Sequence, residues 1–302
     1  MQLPPRVQLI DVGPRDGLQN EKQPVDAATK IELVQRLQDA GLTEIEVTSF
    51  VSPKWVPQMA DNAEVMSGIA RKPGVRYSVL TPNLQGFEAA TKTRPDEIVV
   101  FGAASEAFSQ KNINCSIGES MERFRPVVQA ALAAGIAVRG AISCTVGCPY
   151  EGEIAPERVE LVARLMREIG VQRVDIADTI GVGTPRKVQR ALDAALKHYE
   201  MACVSGHFHD TYGMALANTL AALEVGMWNF QSSVAGLGGC PYAKGATGNV
   251  ATEDVVYLLQ GMGIETGIDL DKLIDAGKFI SDALGRKPHS RAANALLTKR
   301  LG

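Results

Sequence analysis

The sequence lacks most of the features that would assign it a role at once. Its cysteines stand at 115, 144, 148, 203 and 240, and no two form a Cys-x-x-Cys pair. Neither a zinc ribbon nor a disulfide framework is therefore indicated, and free thiols in a reducing compartment are expected. There is no excess of basic charge: 31 Lys and Arg face 34 Asp and Glu. A nucleic-acid partner would leave a clustered basic footprint, so none is expected, although a local basic pocket for an anion is compatible with this balance. No long hydrophobic run exists. The nearest, Ala130–Val138, is far short of a membrane span. Met1–Gln8 holds no apolar core of a secretion signal. A cytoplasmic protein with no membrane partner is the expectation.

What is present is ordinary globular material, 45% hydrophobic and 22% charged over 302 residues. A chain of this length buries about three quarters of its unfolded surface and needs no covalent staples. Strand-like and helix-like segments alternate. Strands are expected at Val7–Val12, Glu44–Phe50, Arg76–Leu80, Glu97–Phe101, Ala137–Cys144, Arg173–Ala177, Ala202–His209 and Phe230–Ala235. Helices are expected at Asp26–Ala40, Asp61–Ala70, Leu84–Lys92, Ser120–Ala134, Pro156–Ile169, Pro185–Tyr199, Ala215–Val225 and Thr252–Met262. Strand-then-helix repetition implies right-handed crossovers and a parallel sheet. Units of about 30 residues, repeated eight times, close a (β/α)8 TIM barrel. Gly41, Gly135 and Gly170 stand where helices stop, and Pro156 and Pro185 where they start, the latter after Thr184 as a cap. The rival is an open doubly wound sheet, which would open on Gly-x-Gly-x-x-Gly. Here the first turn reads Gly-Pro-Arg-Asp-Gly. The expected division is 1–268 for the α/β barrel and 269–302 for a short C-terminal helical extension, with helices at Leu270–Leu284 and Ser290–Leu297.

In such a barrel chemistry collects at the C-terminal ends of the strands. Strand seven ends in His207-Phe208-His209, two of four histidines in the chain. Period two puts both imidazoles on one face. They read as metal ligands ahead of hydrogen-bonded core residues. Arg15-Asp16 follows strand one. Asp16 reads either as a third ligand or as a turn residue bonding its own backbone. Arg15 offers a planar fork suited to a carboxylate or an enolate. After strand eight comes a glycine-rich loop, Gly236–Asn249, without the Gly-Lys-Ser/Thr ending of a phosphate loop. Cys240 within it reads as a catalytic thiol on a closing lid, or as an inert small residue. Asn249 reads as a helix cap or as a neutral oxygen ligand. A mixed N/O donor set suits Mg2+ or Mn2+, and also accepts Co2+, Zn2+ or Fe2+. Glu46 and Thr48 share a face of strand two, and Asp178 closes strand six. Glu46 either orients a ligand or pairs with Arg15. His198 and His289 read as solvated, Cys144 and Cys148 as packing residues. Lys22 and Lys54 read as solvated ahead of meeting a phosphate.

Several stretches together resemble the 3-hydroxy-3-methylglutaryl-CoA lyase family, within the wider DRE-TIM metallolyases. They are Asp11–Glu21 (DVGPRDGLQNE), Ser49–Asp61 (SFVSPKWVPQMAD), Asp178–Pro185, His207–Gly213 and Val234–Ala243 (VAGLGGCPYA). The resemblance spans about Val7 to Leu284. It implies that Asp16, His207, His209 and Asn249 bind a divalent metal, Mg2+ or Mn2+. It implies that Arg15 binds substrate and stabilises the enolate, that Cys240 is the catalytic thiol, and that Glu46 and, more weakly, Asp178 are active-site acids. The implied reaction cleaves 3-hydroxy-3-methylglutaryl-CoA to acetyl-CoA and acetoacetate, as in leucine breakdown. A lyase for a bulkier glutaryl-CoA, an acyl-CoA condensing synthase and a metal-binding scaffold are the rivals. The short tail and the Cys-bearing loop favour the lyase. Two positions depart from the family pattern: Gln231 where an acid is expected, and Met214 where a polar residue is expected. The missing organelle leader suits a bacterial form, and no tail cysteine suggests thiol regulation. Acyl-CoA is the expected small-molecule partner. A homodimer or higher homo-oligomer is expected from the prevalence of symmetric assemblies.

Overall fold

The computed structural model describes residues 3–239 and 247–301. Eight parallel strands close a barrel: β1 (Gln8–Asp11), β2 (Glu44–Ser49), β3 (Arg76–Leu80), β4 (Glu97–Ala103), β5 (Ala137–Ser143), β6 (Arg173–Asp178), β7 (Val204–Phe208) and β8 (Asn229–Ser232). Neighbours follow chain order, and β1 pairs with both β2 and β8 to complete the ring. The helices are α1 (Ala27–Asp39), α2 (Asn62–Gly68), α3 (Leu84–Thr91), α4 (Glu106–Ile113), α5 (Ile117–Ala133), α6 (Pro156–Ile169), α7 (Pro185–Leu196), α8 (Ala215–Glu224), α9 (Thr252–Gly261), α10 (Leu270–Ala283) and α11 (Arg291–Leu301).

Local chemistry sets the helix limits. Asp26 accepts from the Thr29 N–H at 2.7 Å and starts α1. Gly41 ends it at φ 103°, where a Cβ would lie 2.3 Å from the Gly267 carbonyl oxygen, so only glycine fits. Ser116 and Glu119 form a reciprocal capping box, which starts α5 three residues before the sequence pattern suggests. Thr184 precedes α7, but its side chain makes no cap bond. Two features escaped the sequence reading: α4, capped by Ser105 and closed by a left-handed Asn114, and a short hairpin pairing Gly147–Cys148 with Gly152–Glu153. Both are insertions in βα loops, which carry no barrel periodicity. Helix α10 packs on α1 and α9. Helix α11 packs on α9 and ties back to α10 through Arg300, bonded to Asp271 and Asp275. No helix among the described residues is long and apolar enough to cross a membrane.

The outer faces of the strands join the helices in one apolar core. Ile45 and Val47 belong to it, while Glu46 between them turns inward. The inside of the barrel is ionic. Arg139, fully buried on β5, donates from Nη2 to Glu46 at 2.6 Å, from Nε to Glu97 at 2.9 Å and from Nη1 to Asp175. Further from the mouth, Arg173 donates to Glu44 at 2.8 Å and to Glu97 at 3.1 Å. Burying a carboxylate costs several kcal/mol unless it is paired and hydrogen-bonded. Here each carboxylate of the cluster meets a guanidinium, and burial of Arg139 is outweighed by Asp175, Glu46 and Glu97, which hold it charged. Arg139→Met leaves three buried carboxylates without their shared partner. It is expected to cost about 3–5 kcal/mol, read from the urea midpoint. A loss under about 1 kcal/mol would show the network to be dispensable.

Candidate active site

A cavity of about 1180 Å3 opens at the C-terminal ends of the strands. Its polar side carries Arg15, Asp16, His207, His209 and Gln231, and its apolar side Leu80, Phe101, Phe124 and Ala141. Exposed Lys22, Lys111 and Arg123 stand at the rim; Lys54 is exposed and does not line the cavity.

The polar side is assembled from the two ends of the barrel ring. After β1 the chain makes a single π-helical turn, Gly13–Gly17, which presents Arg15 and Asp16. This turn lies so close to the turn after β8 that a Cβ on Gly17 would stand 2.6 Å from Leu237 Cβ. Buried Asp11 fastens the seam: it accepts from Gly13 N–H at 2.8 Å and from Thr252 Oγ1 at 2.7 Å. Buried Glu253 accepts from Ala235 N–H, where the backbone is left-handed at φ 57°. Burial pushes Asp11 up to about 7 and Glu253 up to about 8 against these bonds.

His207 is the fourth residue of β7, and His209 lies just beyond its end. Asn249 is held beside them because its segment pairs with the end of β7. His209 and Asn249 form an antiparallel bridge, Val250 N–H donates to Phe208 O at 3.1 Å, and Asp210 N–H to Gly248 O at 2.8 Å. Asp16, His207 and His209 each offer a ligand atom, all within 4.8 Å of one another. Asn249 Nδ2 donates to Asp16 Oδ2 at 2.8 Å, and Arg15 Nη1 to Asp16 Oδ1 at 2.8 Å. Burial disfavours the Asp16 charge, yet Arg15, the two imidazoles and Asn249 hold it down at about 2. Burial, aided by His207, pushes His209 down to about 3 against the pull of Asp16. His209 Nδ1 is buried without a hydrogen-bond partner. Such a nitrogen is costly, and a cation bound by the trio would offset that cost. One carboxylate and two imidazoles, gathered within reach of one point, therefore fit a divalent ion.

Arg15 is locked from below. Its Nε donates to Glu46 Oε1, and Glu46 Oε2 accepts from Arg139 at 2.6 Å. The Arg15–Glu46 pair that the sequence left as an alternative is thus present. Burial opposes the charge on Glu46, but the two guanidinium groups outweigh it and keep its pKa below the ordinary range. Glu46 does not line the cavity. Neither does Asp178, whose oxygens accept from Val182 N–H at 3.1 Å and Gly183 N–H at 2.8 Å, closing the loop after β6. Burial pushes Asp178 up to about 6. Cys240 lies outside the described residues. Cys144 and Cys148 are buried, with Cys148 Sγ 3.0 Å from Ser105 Oγ. His289 is exposed, whereas His198, expected in solvent, is half-buried beside Glu160. Met214 is exposed and absent from the cavity lining. Sequence reasoning missed the supporting acids Asp11, Glu97, Asp175 and Glu253, together with Arg139. The available signal was a charge inside an otherwise apolar parallel strand, as in Ala-Val-Arg-Gly-Ala-Ile and Arg-Val-Asp-Ile-Ala.

Comparison with known proteins agrees with this architecture. The family model described as HMGL-like matches residues 6–280. A Pseudomonas aeruginosa protein named 3-hydroxy-3-isohexenylglutaryl-CoA/hydroxy-methylglutaryl-CoA lyase is 58% identical over 299 residues, covering 99% of this chain and 100% of that one. The human mitochondrial hydroxymethylglutaryl-CoA lyase is 56% identical over 293 residues, covering 97% of this chain and 90% of that one. The crystal structure of hydroxymethylglutaryl-CoA lyase from Pseudomonas aeruginosa superposes with a TM-score of 0.97 at 58% identity, covering 99% of this chain and 100% of that one. On its sequence, its barrel and the residues gathered at its mouth, the chain belongs to the HMGL-like family.

Proposed function

We propose that this protein is a carbon–carbon lyase that cleaves 3-hydroxy-3-methylglutaryl-CoA to acetyl-CoA and acetoacetate. The observation that carries the reading is the meeting of Asp16, His207 and His209 beside a charge-locked Arg15 in one cavity. The proposed metal is Mg2+ or Mn2+, held by Asp16, His207, His209 and the amide oxygen of Asn249. When bound, it supplies Lewis-acid polarisation of the substrate hydroxyl.

The residues divide the remaining work. The C3 hydroxyl must lose its proton as the C2–C3 bond breaks. Glu46 is enclosed between Arg15 and Arg139, so Asp16, which lines the cavity, is the acceptor we assign. C3 becomes the ketone carbon of acetoacetate, and the bonding electrons pass to C2, giving the enolate of acetyl-CoA. Arg15 spends Nε on Glu46 and Nη1 on Asp16, which leaves Nη2 for the thioester oxygen. Its orientation is fixed before substrate arrives, which is what makes a preorganised charge effective. C2 then takes a proton, a role we assign to the Cys240 thiol. Glu46 and Asp178 enter this scheme as positioning residues, of Arg15 and of the β6 loop. The rim cations Lys22, Lys111 and Arg123 suit the phosphates of the acyl-CoA. The apolar wall of Leu80, Phe101, Phe124 and Ala141 also offers room for a longer branch at C3, the substituent named for the Pseudomonas relative. Cytoplasmic location suits the cysteines among the described residues, none of which is in a disulfide. We assign assembly as a homodimer or higher homo-oligomer, without nucleic acid or membrane.

Incubation with 3-hydroxy-3-methylglutaryl-CoA, Mg2+ and a thiol reductant is expected to yield acetoacetate; no product would overturn the reading. Arg15→Met is expected to lower kcat by about 10^2–10^3-fold or more at normal folding, and a loss below about tenfold would remove its enolate role. His209→Ala is expected to weaken Mn2+ binding in calorimetry; unchanged binding removes it from the ligand set. Cys240→Ser is expected to suppress turnover while leaving Mn2+ affinity intact, and normal turnover would dismiss the thiol.

A further inference from the structure

Gln231 lies on β8 directly across from His207 on β7, the two being register partners in adjacent parallel strands. Both side chains turn to the barrel interior and both are buried, at 4% and 9% exposure. Gln231 Oε1 stands 2.6 Å from His207 Nδ1. With the amide in this orientation its carbonyl oxygen accepts, which puts the proton of this bond on Nδ1 and leaves Gln231 Nε2 buried without a partner. The lone pair of the neutral ring is then on Nε2, the nitrogen left to face the ligand trio. A flipped amide would donate to Nδ1 instead and place the proton on Nε2, where it would block ligation. A carboxylate at 231 would serve as the same acceptor but add a buried negative charge against the His207 ring.

We infer that Gln231 is a positioning residue for His207, fixing its Nδ1–H tautomer so that Nε2 is offered to the metal without an added charge. This rests on the reading of His207 as a ligand. A metal-binding imidazole is commonly oriented in this way by an acceptor at its other nitrogen, and loss of that acceptor costs about 10–100-fold in metal affinity. The neutral amide sets geometry without strengthening the ligand set electrostatically, whereas a carboxylate does both.

The test has two independent readouts. Long-range 1H–15N NMR of the metal-free, full-length protein reports the His207 tautomer. The wild type is expected to show Nδ1–H, and an Nε2–H ring would overturn the inference whatever the variants do. Calorimetry with Mn2+ reports affinity. Gln231→Leu is expected to bind Mn2+ about 10–100-fold more weakly and to show mixed tautomers. Gln231→Glu is expected to keep Nδ1–H and to bind Mn2+ at least as tightly as wild type. His207→Ala and His209→Ala are measured alongside. If both lose Mn2+ while Gln231→Leu stays within about twofold of wild type, the positioning role fails and the ligand reading stands. If neither loses Mn2+, the ligand reading itself fails. Should Gln231→Leu not fold, the wild-type tautomer and the Gln231→Glu affinity decide the matter.

Discussion

The organisation of this barrel hangs on one buried guanidinium. Arg139 sits among Glu46, Glu97 and Asp175 with no exposure to solvent. A cation so placed is tolerable only if its neighbours remain ionised and correctly aimed, and the same holds for them in return. The network therefore fixes the inward faces of β2, β4, β5 and β6 relative to one another. Through Glu46 it reaches Arg15 at the mouth, and through Glu97 it reaches Arg173 and Glu44 further from the mouth. Arg15 thus inherits its aim from an interaction deep in the barrel.

A second constraint acts where the ring closes. The turn after β1 and the turn after β8 approach to the point where a methyl group on Gly17 would collide with Leu237. Asp11 and Glu253, both pushed by burial toward the protonated form, accept backbone N–H groups of these turns. The seam matters because Arg15 and Asp16 come from one side of it and Asn249 from the other. The hydrogen bond from Asn249 to Asp16 spans 233 positions of chain yet only 2.8 Å of space. Gln231 adds a third contribution from the same side, since its strand pairs directly with the one that carries the histidines.

Much of this was legible before any coordinates. The alternation of strand and helix, the glycines that end helices and the prolines that begin them all act within a few residues, so a linear reading finds them. His-x-His on a strand was legible for the same reason, because period two is a local property of extended backbone. The short helix Glu106–Ile113 was missed although Ser105 and Asn114 mark its ends, because attention to barrel period passes over an insertion in a loop. Arg139 was missed for a different reason. A lone charge in an apolar strand signals buried pairing, but its three partners stand on three other strands that no linear spacing connects.

The sequence alone determined the number of units, their handedness, the identity of the family and which side chains stand at strand ends. Only the tertiary structure decided that Glu46 supports Arg15 from beneath, that Asp178 closes a loop, and that Gln231 meets His207 nitrogen to oxygen. The division has a physical cause. Backbone periodicity and capping depend on near neighbours in the chain, whereas the protonation, aim and pairing of a buried polar group depend on atoms brought in from strands tens or hundreds of residues away.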